Sequence, residues 1–244
     1  MRLAALDYAE RGLPVFPCHW VVASGGDGWS CSCGQTDCSR RGKHPLARRG
    51  HKDASARADV IEGWLRRWPN ANIAIPTGIA FDVLDVDGPV GGESLRRFAL
   101  EHGFSLDGPV VRTGSGWHCL FSPTGSGSRV RLLDHVDYRG AGGYVIAPPS
   151  LHATGCHYRW LRPLDLDRLP DLPGAFRELL TRSEPTRLVA TPSLGVGQRT
   201  GNVPWPASWN GSPKRPWGSA ITRSTGRRSA AISSPQVAPS TRMT

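Results

Sequence analysis

The segment FDVLDVDG, residues 81–88, constrains the fold of this chain more than any other. Val83, Leu84 and Val86 have the branched, apolar character of a buried strand, and Gly88-Pro89 ends it. Yet the same stretch carries Asp82, Asp85 and Asp87. Side chains alternate faces along a strand, so Asp85 and Asp87 project together from one side, about 7 Å apart along the chain. Two ionised carboxylates held that close repel unless a cation sits between them. The plain alternative is a strand fraying into a polar turn, where aspartate is common.

The surrounding pattern is α+β. Residues 3–11 read as a short helix ended by Gly12, followed by a strand in LPVFP. Val60, Ile61, Trp64, Leu65 and Trp68 follow helical spacing, as expected of a core-facing helix over residues 56–68. NIAIPTG and the aspartate strand come next, then a helix from Glu93 to His102 closed by Gly103. Short strands are expected around PVVRT, WHCLF, YVIAPP and HYRWL, and a last helix over GAFRELL. Residues 18–50, rich in Gly, Ser, Cys and Arg, form a long irregular insertion that needs its own means of staying ordered.

The net charge of +10 suggests a nucleic-acid partner, but its distribution weakens that inference. From Pro185 to Thr244 there are eight Lys or Arg and no acids, leaving 22 basic and 20 acidic groups in the first 184 residues. Residues 185–244 also lack Phe and Tyr, and their tryptophans at 205, 209 and 217 are isolated. Such a tail is expected to be disordered, or to result from a change of reading frame. Residues 1–184 are expected to hold the folded domain. No apolar run approaches a membrane span and MRLAALDYAERG does not resemble a signal peptide, so a cytoplasmic location is the default expectation.

The cysteines cluster instead of spreading. CSCGQTDCSRRGKH places Cys31, Cys33, Cys38 and His44 within 14 residues, a set suited to tetrahedral zinc. Cys18 or His19 is an alternative fourth ligand. Cys119 and Cys156 read as ordinary core or surface residues.

Two further blocks carry polar chemistry. VRTGSGWHCLF, residues 111–121, offers Arg112 and a turn of Thr113, Gly114, Ser115 and Gly116 whose amides would face a phosphate, then His118 on a strand. HVDYRGAGGYVIAPPS, residues 135–150, puts Asp137 and Arg139 on one strand face, with glycines at 140, 142 and 143 permitting close approach to the backbone. Phosphoryl transfer needs carboxylates to hold two divalent ions about 4 Å apart and cationic or amide donors for the phosphates. Asp85, Asp87 and Asp137 suit the first need. Arg112, the Gly-Ser turn, His118 and Arg139 suit the second.

In this order VLDVDG, RTGSGWH and VDYRGAGGYVIAPPS, preceded by GLPVFP, GKHPL and WPNANIAIPTG, resemble the N-terminal domain of bifunctional DNA primase–polymerases. These form a branch of the archaeo-eukaryotic primase superfamily found on phages, plasmids and integrated elements. The resemblance covers roughly residues 3–180. It implies a primase-like catalytic core with an RRM-like sheet, an inserted zinc knuckle, and primer synthesis or extension on a single-stranded DNA template from NTPs or dNTPs. It also implies that Asp85 and Asp87 are Mg²⁺ or Mn²⁺ ligands, that Asp137 is the third acid and that His118 contacts the incoming nucleotide. The sequence has no G-x-x-x-x-G-K-[ST], so a replicative helicase would act in trans or on a C-terminal extension. Two other classes compete. A D-x-D glycosyltransferase leaves the S-x-H block and the cysteine loop unexplained. A non-catalytic zinc-containing DNA-binding module gains nothing from three carboxylates facing an anion.

Overall fold

The computed structural model describes residues 1–25 and 28–182. The expectations for residues 185–244 lie outside the described residues. Helix α1 (Arg2–Glu10) leads into β1 (Phe16–Cys18), a hairpin of β2 (Val21–Ser24) and β3 (Gly28–Cys31), a 3₁₀ turn (Gly50–Asp53) and α2 (Ala58–Arg67). Then come β4 (Asn72–Pro76), β5 (Asp82–Val86), α3 (Gly88–His102), β6 (Val110–Arg112) and β7 (Trp117–Phe121). The chain continues with β8 (Arg129–Leu133), β9 (Val136–Arg139), β10 (Tyr144–Ile146), β11 (Arg159–Arg162) and α4 (Gly174–Thr181). The fold is mixed helix and sheet. Among the described residues, no helix is long and apolar enough to cross a membrane.

Two antiparallel sheets organise these elements. One has the order β1-β4-β10; the other runs β11-β6-β7-β5-β9-β8, with β5 in its interior. The period-2 alternation of β5 separates two cores. Leu84 and Val86 join Val110, Cys119, Phe121, Val136 and Tyr138 in a layer closed by Leu95 of α3 and Phe176 of α4. Val83, Val111 and Leu120 face the other way, into a core built from α1, α2 and the three-stranded sheet. Each fully buried Leu, Val or Phe contributes roughly 1.5–3 kcal/mol of transfer free energy, so each layer is a core in its own right.

Three boundaries departed from expectation for local reasons. Helix α3 starts at Gly88, five residues before Glu93, because Pro89 falls in the first turn, where its missing N–H costs nothing. Its Gly91 is a packing requirement: a Cβ there would lie 2.4 Å from the His135 carbonyl oxygen. The loop at 18–50 is less irregular than its composition suggests, since the β2–β3 hairpin buries Val21 and Cys31 inside it. Strand β8 had no sequence signal. Its register shifts between Arg129 and Leu133, and Arg131 takes a positive φ of 53° that breaks the alternation.

Candidate active site

Strand pairing places the chemistry. Asp85 on β5 is the register partner of His118 on β7 and of Asp137 on β9, so three polar residues form a row across three strands. All lie on the face of Val83, opposite α3 and α4. Arg139, two residues beyond Asp137 on the same face, donates from one nitrogen to both acids: Nη2 is 3.1 Å from Asp85 Oδ2 and 2.8 Å from Asp137 Oδ2. The Arg131 amide holds the other Asp137 oxygen at 2.7 Å. Asp87 stands just past the end of β5. Burial of its carboxyl, and then the charge of Asp85, raise its pKa above the ordinary value, while Lys43 pulls the other way.

His118 Nε2 lies 3.5 Å from Asp85 Oδ1. Burial lowers its pKa to about 4 despite the Asp85 charge, so the ring is neutral near pH 7. His152 is likewise lowered to about 4, first by burial and then by Lys43. Both imidazoles pack against Tyr158, with ring centroids 5.9 and 5.6 Å away. Around them opens a cleft of about 760 Å³ whose walls include Asp85, Asp87, His118, Arg139, Lys43 and His152.

Not every polar residue of these blocks reaches this cleft. Asp82 points to the helix side, wholly buried, where its Oδ2 accepts from the Tyr138 hydroxyl and, at 2.6 Å, from the Thr124 amide. Arg112 also falls on the helix side, because β6 alternates out of phase with the expectation. It pairs in register with Trp117 and lies over that indole at 4.5 Å. In the turn after it, two of the amides expected to face a phosphate are used internally. The Ser115 and Gly116 amides donate to Thr113 Oγ1 at 3.3 and 2.8 Å. Gly114 and Gly116 are required by packing instead: a Cβ would come within 1.9 Å of His152 Nδ1 at the first and 1.8 Å of the Val86 carbonyl at the second. Close approach to Gly140 and Gly143 likewise comes from the chain's own Ser126, Ser128 and Thr77.

Sequence reasoning passed over Lys43, His152 and Tyr158. GKHPL and PPSLHATG held the first two, but nothing local ties either to a distant strand.

The cysteine loop forms one wall of the cleft, with Cys38, Arg40, Arg41 and Lys43 contributing. Cys31, Cys33, Cys38 and His44 converge so that their ligand atoms all lie within 4.8 Å of one another. His44 Nε2 is 3.2 Å from Cys31 Sγ and 3.6 Å from Cys38 Sγ. This cluster could hold a metal ion such as zinc. Burial pushes the Cys31 thiol up, but hydrogen bonds from the Gly42 and Cys33 amides and from the Cys33 and Cys38 side chains together lower its pKa. Neither alternative ligand takes part. Cys18 is sealed in the core, where burial raises its thiol far above the ordinary range. His19 bonds Ser32 Oγ through Nδ1 at 2.9 Å and stacks on His44 with centroids 4.1 Å apart.

With this geometry in place, comparison with known families is decisive. The family described as bifunctional DNA primase/polymerase, N-terminal, matches residues 5–174, more than half of the chain. The chain belongs to this family. A comparison with curated proteins gives no match. The prim-pol match begins within α1 and ends at the start of α4, so both sheets, the cysteine loop and the acid row lie inside it. Membership in the prim-pol family implies primase or polymerase activity in general, with nucleic acid and nucleotides as substrates and divalent metal in use.

Proposed function

We propose that this prim-pol domain synthesises or extends primers on a single-stranded DNA template, with Asp85, Asp87 and Asp137 holding two divalent cations. What carries this reading is the row His118–Asp85–Asp137 on adjacent strands, with Arg139 bridging the two acids. Carboxylate oxygens alone make a donor set for hard ions such as Mg²⁺ or Mn²⁺. The Arg139 guanidinium already lies between two of those carboxylates, so the gap admits a cation. When bound, the ions would supply activation of the attacking 3′-hydroxyl and neutralisation of charge on the triphosphate.

The protein's own groups do the rest. His118, neutral at pH 7, meets the incoming nucleotide as a hydrogen-bond donor or acceptor without adding charge. Asp137 is held at one oxygen by the Arg131 amide and at the other by Arg139, so its carboxylate keeps a fixed direction. Arg139 steadies both acids through one guanidinium nitrogen. We further propose that the cysteine cluster holds zinc, that the sheet carrying the acids corresponds to the RRM-like core of the primase superfamily, and that the domain serves a mobile element with a replicative helicase as partner.

Primer synthesis on single-stranded templates with labelled ribo- and deoxynucleotides tests the proposal. Product formed by the parent and lost in Asp85→Asn is the expected result. Absence of product from the parent with Mg²⁺ or Mn²⁺, on several templates and with a supplied primer, rejects it.

A further inference from the structure

Resting on the nucleotidyltransferase reading, we propose that Lys43 is the cation that grips the polyphosphate of the incoming nucleoside triphosphate, and that the Cys31–His44 cluster sets its position. The case begins with elimination. Arg139 is spent on Asp85 and Asp137, Arg112 faces the helices, and the turn after it bonds two of its amides internally. The cations left on the cleft wall all come from the cysteine loop: Arg40, Arg41 and Lys43. Of these the two arginines are exposed, whereas Lys43 is half-buried among the cleft residues. Among the described residues it forms no ion pair, and it lines the same cleft as Asp85, Asp87, His118 and His152. A compact ammonium inside an acid-lined cleft is suited to an anion that arrives with its own cations.

The backbone at Lys43 is clamped on both sides. The Gly42 carbonyl accepts from Asn72 Nδ2 at 2.9 Å, the Lys43 carbonyl from the Tyr144 hydroxyl at 3.1 Å, and the His44 carbonyl from the His19 amide at 2.9 Å. His44 belongs to the cluster and is the next residue, so a metal held there fixes the base of the lysine side chain within one peptide unit. The loop thus supplies the charge that the sheet itself does not.

The test is binding, read without turnover. A fluorescent nucleoside triphosphate is titrated in Mg²⁺ into the full chain, Lys43→Gln, Lys43→Arg and Cys38→Ser, with inorganic tripolyphosphate as competitor. Lys43→Gln should weaken both nucleotide and tripolyphosphate by about tenfold or more, and Lys43→Arg should retain most of the affinity. Cys38→Ser should lose the cluster metal, measured by elemental analysis, and weaken nucleotide to a similar extent. If Cys38→Ser unfolds, the parent stripped with a chelator and returned to excess Mg²⁺ takes its place. Parental affinity in Lys43→Gln overturns the proposal and leaves the nucleotidyltransferase reading standing. Parental affinity after loss of the cluster metal overturns the coupling to the cluster. No nucleotide binding by the parent overturns both this proposal and the reading beneath it.

Discussion

Asp85 and Asp137 are direct register partners on neighbouring antiparallel strands and share a single guanidinium nitrogen of Arg139. Two acids facing each other across a sheet would normally repel, and like charges directly opposite are destabilising. Here the repulsion is offset by Arg139, and a divalent ion would offset it more completely.

Replacing both Asp85 and Asp87 with alanine should therefore end nucleotide incorporation, by at least about a thousandfold, because several kcal/mol of charge stabilisation would go. Fold should survive, since Arg139 keeps Asp137 as a partner. Primer extension and thermal melting check both halves; incorporation at the parental rate rejects the assignment of these acids.

Asp82 should behave in the opposite manner. Asp82→Ala leaves the Thr124 amide without its acceptor and the Tyr138 hydroxyl with Thr124 Oγ1 alone, and a buried group left unpaired costs about 1–3 kcal/mol. A drop in Tm of roughly 5–15 °C is expected. Nucleotide affinity, measured well below the new Tm, should stay near parental.

The cluster should hold one metal ion per chain on Cys31, Cys33, Cys38 and His44. Elemental analysis of protein purified without chelators checks the stoichiometry, with zinc the expected element. Chelation should loosen the loop, seen as faster amide exchange around residues 31–44, while exchange in the interior strands β5 and β7 stays slow.

Acid should destabilise the protein through its buried histidines. His152 and His118 have folded pKa values of about 4, against an ordinary value of 6.5. Above pH 6.5 both are neutral in either state and cost nothing. As pH falls below 6.5 the unfolded chain binds protons that the folded one refuses, so stability declines until about pH 4. Thermal melts from pH 7 to 4.5 should show this slope, and His152→Gln should make it shallower. An unchanged slope in the variant removes His152 from the account.

The acid strand, the helices α1, α2 and α4, and the cysteine cluster were legible in the sequence because each signal is local. Alternation along β5 already grouped Asp85 with Asp87 and set Asp82 apart. What was not legible is phase between strands. Arg112 and His118 sit in one block, yet β6 and β7 present them on opposite faces, a fact decided by the pairing of Arg112 with Trp117. The glycines at 114 and 116 suggested a phosphate cradle, whereas the close neighbours are His152 and the Val86 carbonyl. Lys43 could not be placed, since the path of the cysteine loop depends on four ligand atoms meeting in space. Helix α3 was read short because Gly and Pro in its first turns suppress the helical signal that packing supplies.

The two-sided use of β5 also bears on how this segment can change in length. Leu84 and Val86 feed the helix layer while Asp85 feeds the cleft, so the two sets differ only by parity. Deleting or inserting one residue between Asp82 and Val86 would exchange them, driving carboxylates under α3 and presenting leucine and valine to the cleft. Within this strand even a single-residue indel would cost the core and the chemistry at one stroke. Variation there is confined to substitution.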